Sequence, residues 1–160
     1  DIWGLKYDEN MAVTVGCDQA ACCLMQNREQ IDYTDYVEDV LDDLRESVQI
    51  AKAAGIPDDR IMLDPGVGFG KTYEMNLEII RVVGRLKELG YPVLLGTSRK
   101  SVIGLTLDLP ADQREEGTLV TTVLGVEQGC SFVRVHDVET NARAIRMAEA
   151  IFREHDLAVR

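Results

Sequence analysis

The stretch LDPGVGFGKT, residues 63–72, places a carboxylate, a lysine and three glycines within a few positions of one another. Its end, GFGKT, resembles the loop that cradles nucleotide phosphates, which needs a glycine, four spacer residues and then Gly-Lys-Ser/Thr. In that register the first glycine would stand at position 65, which is Pro65, and the glycine comes one residue late, at Gly66. Each backbone N–H of such a loop must point at a particular phosphate oxygen, so the shift argues against a nucleoside triphosphate site. Asp64 must therefore have another use.

Polar side chains also follow the later apolar runs of the chain. The candidates are Arg99, Lys100 and Ser101 after PVLLGT (92–97), and Arg134 and His136 within FVRVHD (132–137). Residues two apart on a strand face the same side, so Arg134 and His136 are predicted to share a face and to belong to a site. Four cations in a chain of net charge −11 thus stand at or near run ends: Lys71, Arg99, Lys100 and Arg134. This concentration of positive charge predicts an anionic ligand.

Each candidate also has an interpretation that involves no ligand. Asp64 could be only a turn former, and the three glycines could only permit the backbone to turn. Arg99 and Lys100 could cap a solvated helix start, but cations there oppose the helix dipole, so a bound anion explains them better. Phe69 stands among the glycines with few local packing partners, which favours a ring that faces a ligand.

Strand-length apolar runs alternate with helical patterns along the whole chain. The runs are ACCLM (21–25), IMLD (61–64), PVLLGT (92–97) and FVRVHD (132–137), with a possible stub at Asp1 to Gly4. The helical patterns cover residues 36–54, 77–89, 117–128 and 140–154. This alternation predicts a parallel α/β sheet, and both an open doubly wound sheet and a (β/α)8 barrel fit it. Since a complete barrel has about 250 residues, this chain would supply roughly half of one.

Two of the helical patterns make specific predictions about their ends and faces. In residues 36–54 an apolar stripe of period 3.6 is predicted to be buried, and Asp35 with Glu38 three residues later predicts a capping arrangement. The stripe consists of Val37, Val40, Leu41, Leu44, Val48 and Ala51. In the last helix the inward residues are predicted to be Ile145, Ala148 and either Ile151 or Phe152.

Composition excludes several classes of function. The charge of −11 disfavours a broad nucleic-acid or anionic-membrane surface. No run of 18 apolar residues predicts a transmembrane helix, and no signal segment opens the sequence. The four cysteines form no C-x-x-C pair and are predicted to be reduced, buried thiols of a cytoplasmic protein.

Taken together, these motifs resemble the dihydropteroate synthase family. LDPGVGFGKT (63–72), GTSRKSVIG (96–104) and RVHDV (134–138) occur in that family's order and spacing, and the likeness covers essentially the whole chain. GTSRKS is the most specific piece, because it separates the synthases from the pterin-binding methyltransferases that share the Asp-Pro-Gly element. The resemblance implies a (β/α)8 barrel. It also implies a transferase of folate biosynthesis that joins 6-hydroxymethyl-7,8-dihydropterin pyrophosphate to p-aminobenzoate, giving 7,8-dihydropteroate and pyrophosphate.

The resemblance further implies roles for individual residues in the pterin half of the site. Asp64 would accept hydrogen bonds from the pterin amine and ring N–H groups, and Lys100 would donate to the acceptor edge of the pterin. Arg134 would stack over the pterin and, with His136, hold the departing pyrophosphate. Lys100, Arg134 and His136 are the implied catalytic residues.

For p-aminobenzoate the implied binding residues are Phe69, Lys100 and Ser101. Mg²⁺ is the implied cofactor, with ligands that lie largely outside this chain, and a homodimer is the implied assembly. Gln26 departs from the family, which often has a histidine there, so the resemblance assigns it no role. Asp1-Ile2 matches the middle of the family's Asn-Asp-Ile segment at the fourth strand.

That match implies that residues 1–160 are one partial barrel domain, from about strand 4 to helix 8. The chain would be the C-terminal half of the enzyme and inactive alone. Two other functions stay open at this point. One is a pterin-binding methyltransferase domain, and the other is a pterin-binding module without catalysis.

Overall fold

Four parallel strands form the centre of the structure, a computed structural model that describes residues 1–152. They are β1 (Cys22–Met25), β2 (Ile61–Asp64), β3 (Leu94–Leu95) and β4 (Phe132–Val133). β1 pairs with β2 and β3 with β4, and a parallel bridge between Leu63 and Val93 joins the two pairs in the order β1-β2-β3-β4. The predicted parallel α/β architecture is confirmed.

Helices follow the strands and cover the sheet. They are α1 (Met11–Cys17), α2 (Tyr36–Ala53), α3 (Tyr73–Arg81), α4 (Ser101–Leu107), α5 (Glu115–Glu127) and α6 (Val138–Phe152), with short 3-10 segments at Asp58–Arg60, Val83–Leu89 and Ala111–Gln113. The stripe predicted for α2 is buried except at Val37, which is half-buried. The core joins α2 to strand residues such as Leu24, Leu63 and Leu95.

The predicted helix 77–89 is wrong in its bounds and in its type. α3 begins earlier, at Tyr73, because the Thr72 hydroxyl accepts the Met75 N–H at 3.3 Å and caps the first turn. Its second part is the 3-10 segment Val83–Leu89. The capping arrangement at Asp35 is also wrong, since that side chain makes no cap bond although α2 begins where expected. Instead, the Asp39 carboxylate accepts the N–H of Thr34 at 2.7 Å.

The later strands are shorter than their apolar runs. β3 and β4 hold two residues each, because the chain leaves the ladder at Gly96 and at Arg134. The predicted stub at Asp1 to Gly4 is a turn, in which only Asp1 reaches β1 and accepts the Met25 N–H at 3.0 Å. Helix α1 had no clear periodic signal in its sequence, MAVTVGC, and was not predicted.

The face of β4 and α6 differs from the rest of the fold. Phe132 is 53% exposed, Ile151 62% and Phe152 43%, so the prediction that Ile151 or Phe152 turns inward is wrong. Ala148 is buried as predicted, while Ile145 is only half-buried. The amphipathic pattern marks an apolar face correctly, but nothing among residues 1–152 covers this part of it.

Hydroxyl groups rather than aliphatic side chains fill much of the space beneath α5. Thr118, Thr121 and Thr122 are buried, and the Thr121 hydroxyl pairs with that of Thr97 at 2.6 Å. The Thr122 hydroxyl donates to the buried Asn141 amide oxygen on α6 at 2.8 Å. Hydrogen bonds thus join α5 both to the segment after β3 and to α6.

All four cysteines lie within the described residues and are free thiols. Cys17 is exposed and the other three are half-buried, so the prediction of buried thiols is wrong, since none of the four is fully buried. Within residues 1–152, no helix combines the length and the apolar character needed to span a membrane.

Candidate functional site

The carboxyl ends of the strands surround a cavity of about 350 Å³. Parallel strands deliver the residues that follow them to one edge of the sheet, which is where ligands bind in α/β folds. The lining contains five of the six predicted site residues, Asp64, Phe69, Lys100, Arg134 and His136, together with Ile2, Met25, Gly96, Ser98 and Val135. The sixth, Ser101, is the exposed first residue of α4 and does not line this cavity.

Asp64, the last residue of β2, presents a half-satisfied carboxylate to the cavity. Its Oδ1 accepts the Gly66 N–H at 2.7 Å, and among residues 1–152 no hydrogen bond is formed to Oδ2. Burial raises the pKa of Asp64, while the Gly66 N–H and the charges of Lys100 and Lys71 oppose that rise. The group can therefore accept hydrogen bonds from N–H donors of a ligand.

Lys100 closes the cavity over the glycine-rich loop. Its Nζ donates to the Val67 carbonyl oxygen and lies 4.8 Å from the centroid of the Phe69 ring. Burial lowers the pKa of Lys100, the charge of Asp64 opposes that change, and the charge of Arg134 adds to it. A partly buried ammonium beside an aromatic ring and a carboxylate suits a flat polar ligand that carries hydrogen-bond acceptors.

Arg134 and His136 share one side of the chain beyond β4, as predicted, and both are exposed. Among residues 1–152 the Arg134 guanidinium makes no hydrogen bond or ion pair. Ser98 holds His136, since its Oγ accepts the His136 N–H at 3.2 Å and lies 2.9 Å from Nδ1. Both groups are satisfied if Ser98 donates to Nδ1, which leaves the ring proton on Nε2. Arg134 and His136 can then both donate to an anion.

The glycine-rich loop after β2 depends on conformations that favour glycine. Gly66, Gly68 and Gly70 have φ of 70°, 84° and 53°. A Cβ at Gly66 would lie only 1.9 Å from the carbonyl oxygen of Gln26, so the loop approaches the end of β1 too closely for any side chain. These glycines let the loop pack against the end of β1 and bring Phe69 to the cavity.

Behind the cavity lies a polar cluster that the sequence did not reveal, here named the buried cluster after its one fully buried member, Gln26. Gln26 is 2% exposed; its Nε2 donates to Asp43 Oδ2 at 2.8 Å and to the Tyr33 hydroxyl at 3.0 Å, and its Oε1 accepts from Lys71 Nζ. The Arg28 guanidinium donates two hydrogen bonds to the Asp43 carboxylate, at 2.7 and 3.0 Å. Lys71 also donates to the Phe69 carbonyl oxygen at 3.0 Å. Lys71 is thus bonded inside the protein, as expected if it is not a nucleotide-binding lysine.

A second predicted cation, besides Lys71, lies outside the cavity lining. Arg99 has a left-handed backbone, with φ of 58°, and its Nε lies 3.9 Å from Glu115 Oε2 rather than in the cavity lining. The prediction that Arg99 contributes to the anionic ligand site is therefore wrong. Its carbonyl oxygen accepts from Arg114, so the turn before α4 is held from the α5 side.

Sequence reasoning missed the side chains of Ile2, Met25 and Val135 in the lining, and it placed Ser98 after a strand without giving it a role. Met25 and Ser98 each stand at or just after the end of a strand, the same signal that identified Asp64 and Arg134. For the metal, no group of three or more His, Cys, Asp or Glu side chains within residues 1–152 could hold an ion.

With this geometry in hand, three comparisons place the chain among known proteins. The family described as "Pterin binding enzyme" matches residues 1–136. The chain is 55% identical to dihydropteroate synthase of Clostridium beijerinckii over 154 residues, covering 96% of this chain and 57% of that protein. It is 48% identical to dihydropteroate synthase of Bacillus subtilis over 151 residues, covering 94% of this chain and 53% of that protein. The chain thus spans about half the length of the curated relatives it matches.

Solved structures agree with the sequence comparisons. Dihydropteroate synthase of Clostridium difficile, determined in the presence of pteroic acid, superposes with a TM-score of 0.93 at 48% identity, covering 96% of this chain and 59% of that chain. The Yersinia pestis enzyme with a pterine-sulfa conjugate gives a TM-score of 0.89 at 31% identity, covering 94% of this chain and 59% of that chain. These likenesses confirm the fold class as part of a (β/α)8 barrel.

Proposed function

Because the chain belongs to the family of pterin-binding enzymes, we propose that residues 1–160 form a partial (β/α)8 barrel domain of a dihydropteroate synthase. The observation that carries this proposal is the convergence of Asp64, Lys100, Arg134 and His136 on one cavity of about 350 Å³. On one side the cavity has a carboxylate that accepts N–H groups and a partly buried ammonium, and on the other it has two side chains that can donate hydrogen bonds to an anion. That arrangement suits a pterin joined to a pyrophosphate.

The reaction breaks the bond between the pterin methylene carbon and the pyrophosphate oxygen, and it forms a bond from that carbon to the p-aminobenzoate nitrogen. The nitrogen then loses a proton. Asp64 Oδ2 accepts N–H groups of the pterin, while Lys100 donates to its acceptor edge. Negative charge grows on the leaving pyrophosphate, where Arg134 and His136 Nε2 donate and stabilise it.

Binding of p-aminobenzoate is assigned to Phe69, Lys100 and Ser101. Phe69 and Lys100 line the cavity, and Ser101 at the start of α4 would meet the carboxylate outside it. Residues 1–152 provide no ligand set for the Mg²⁺ that the resemblance implies, so none of these residues is assigned to a metal.

The assembly is proposed to be a homodimer in a cytoplasmic enzyme. Support for the dimer comes from a larger, apolar cavity of about 510 Å³ between α3, α4 and α5. Leu77, Leu107 and Val120 line it and are 42%, 43% and 60% exposed. Support for the cytoplasm comes from the four free thiols, which oxidising compartments would disfavour.

Calorimetry on the complete natural polypeptide tests the function. We expect separate binding of 6-hydroxymethylpterin and of pyrophosphate, competition of pyrophosphate with the pterin pyrophosphate, and formation of dihydropteroate when p-aminobenzoate is added. Pterin binding without product would favour a non-catalytic pterin-binding module. Absence of binding to either ligand would contradict the proposal.

Residues 1–160 expressed alone provide a second test. Closing a barrel needs eight strands with consistent tilt and shear, and the open edges of fewer strands expose unpaired N–H and C=O groups. We therefore expect this piece to self-associate and to lack synthase activity. Light scattering and a dihydropteroate assay on one sample would check both. A monodisperse 17.8 kDa species with turnover would contradict both expectations.

A further inference from the structure

The buried cluster behind the cavity contains a lysine and a glutamine that the proposed reaction does not use. Gln26 lies at the end of β1 and Lys71 at the end of the glycine-rich loop, 45 residues apart in sequence. The amide of Gln26 has all its polar hydrogens engaged, two towards Asp43 and Tyr33, and its oxygen receives the Lys71 ammonium. Only an uncharged group with both donors and an acceptor can join a carboxylate to an ammonium in this way.

Lys71 transmits this anchoring to the cavity wall. The same ammonium donates to the Phe69 carbonyl oxygen at 3.0 Å, so the segment that carries the Phe69 ring is tied to β1. The Tyr33 hydroxyl adds a second tie by donating to the Gly70 carbonyl oxygen at 3.1 Å. Side chains of the buried cluster therefore hold the loop in place through hydrogen bonds to its backbone carbonyl groups.

Lys71 also acts on Asp64 through its charge. Burial lowers the pKa of Lys71 to about 7. The negative charges of Asp64 and Asp43 oppose this change, and the positive charges of Lys100 and Arg28 add to it. Below that pH the ammonium is charged, and its field opposes the burial that raises the pKa of Asp64. Lys71 Nζ lies 3.2 Å from the position that a Cβ on Gly66 would take, and the Gly66 N–H bonds Asp64 Oδ1 at 2.7 Å, so the ammonium stands close to that carboxylate.

We propose that Gln26 and Lys71 are positioning residues for the pterin site, which together fix the Phe69 loop and hold a positive charge close to the Asp64 carboxylate. This inference rests on the proposed function only for the identity of the ligand. An ionised Asp64 accepts ligand N–H groups, whereas a protonated one has lost acceptor capacity. Neither Gln26 nor Lys71 touches the ligand in this account; both act through the loop and through Asp64.

The test uses Lys71→Met, Gln26→Leu and the double variant in the complete natural polypeptide. Titration of 6-hydroxymethylpterin at pH 5 and pH 7.5 should show Lys71→Met about 10-fold weaker at pH 5 and much less affected at pH 7.5. The double variant should lose little more than Lys71→Met, because the two residues act as one unit. Equal losses at both pH values, or additive losses, would overturn the proposal.

Matched controls separate positioning from general packing. Gln128→Leu removes another glutamine that bridges backbone groups, at Gly84 and Ile80, away from the cavity. Lys52→Met removes an exposed cation paired with Asp58. We expect Gln128→Leu to lower the melting temperature, and we expect both controls to leave the pH dependence of pterin affinity unchanged.

A ligand-free measurement keeps the inference independent of the proposed function. The carboxyl carbon shift of Asp64, followed by NMR against pH, should titrate at higher pH in Lys71→Met than in the wild type. Gln26→Leu should move it in the same direction and serves if Lys71→Met fails to fold. An unmoved titration would overturn the inference. If the titration moves but the wild type binds no pterin, the proposed function fails while the link from Lys71 to Asp64 stands.

Discussion

The two ends of the sheet are built differently. At the β1–β2 end, the strands are four residues long, and the polar groups behind Asp64 bond to one another through Gln26, Lys71 and Asp43. At the β4 end, the strand has two residues, Phe132 is more than half exposed, and the Arg134 guanidinium has no bonded partner among residues 1–152. The first, which we call the closed end, is organised before any ligand arrives. The second, which we call the open end, has groups free to bind one.

This difference suggests a division of labour within the site. A neutral flat ring is recognised by shape and by a few fixed hydrogen bonds, which requires a rigid wall. In the proposed reaction pyrophosphate is released, so exposed donors such as Arg134 and His136 suit it better than a buried cage. Substitutions at the two ends should therefore have different effects. At the β1–β2 end they should reduce stability or ring binding, and at the β4 end they should reduce anion binding while the fold stays intact.

The largest effect is expected at the closed end, from Gly66→Ala. A methyl group there would meet the Gln26 carbonyl oxygen at 1.9 Å on a left-handed backbone, so the unfolding free energy should fall by roughly 3–5 kcal/mol. Gly90→Ala is the control, since it also has positive φ but no atom within 4 Å of its Cβ, and should cost only about 1 kcal/mol. Urea denaturation measures both. Similar losses would mean that the loop adapts and is not rigid.

Asp64→Asn tests ring recognition with little change in shape. Loss of the charge and of one acceptor should weaken pterin binding about 10- to 150-fold, since hydrogen bonds to charged groups contribute roughly 1.5–3 kcal/mol. Calorimetry with 6-hydroxymethylpterin gives the affinity, and pyrophosphate binding on the same variant is the internal control. An unchanged pterin affinity would remove Asp64 from the site.

Arg134→Ala tests the open end. Because this side chain is exposed and bonds to nothing in the described residues, the melting temperature should change little, while pyrophosphate affinity should drop roughly 10-fold. A pterin without phosphates should lose less. If both ligands weakened equally, Arg134 would act through stacking on the ring alone, and the contrast between the two ends would be wrong.

The smallest effect concerns pH and stability at the closed end. In the folded state burial lowers the pKa of Lys71 to about 7 from its ordinary 10.5. Between these values the unfolded chain binds more protons, so stability should rise with pH across this range and show the full cost of the buried charge below about pH 7. Each pH unit in this range contributes at most about 1.4 kcal/mol, and the partial exposure of Lys71 reduces that contribution. Urea midpoints measured against pH should rise for the wild type and for the reference Lys52→Met but not for Lys71→Met. Parallel pH curves for the wild type and Lys71→Met would contradict this prediction.

Much of the site could be predicted because parallel strands impose a simple rule. Asp64, Lys100, Arg134 and His136 each follow an apolar run, and the fold brings the carboxyl ends of those runs to one edge. The buried cluster could not be predicted, since Lys71 and Gln26 are 45 residues apart and their pairing depends on side-chain packing. The prediction for Arg99 was wrong for a related reason: its left-handed backbone and its contact with Glu115 place the side chain outside the cavity lining.

The fold was predictable in kind but not in detail. Periodicity located α2 and its buried face, yet the Asp35 side chain makes no cap bond, and the Asp39 carboxylate accepts the Thr34 N–H just before the helix. Periodicity also marks Ile151 and Phe152 as apolar without saying what covers them, and within residues 1–152 nothing does. A pattern along the chain reports what a residue prefers, and the partner that satisfies it comes from elsewhere in the fold.

The threonines beneath α5 restrict how that helix can move. Aliphatic side chains in contact can slide past one another at little cost, whereas the Thr97–Thr121 and Thr122–Asn141 bonds break if α5 shifts along its axis by even part of a turn. The helix therefore has a single axial position relative to β3 and α6. Arg114, just before α5, holds the Arg99 carbonyl oxygen next to Lys100, so that position also sets where the Lys100 ammonium stands. A Thr121→Val change, which hardly alters side-chain volume, would remove the bond to Thr97 and leave the Thr122–Asn141 bond to set the axial position of α5.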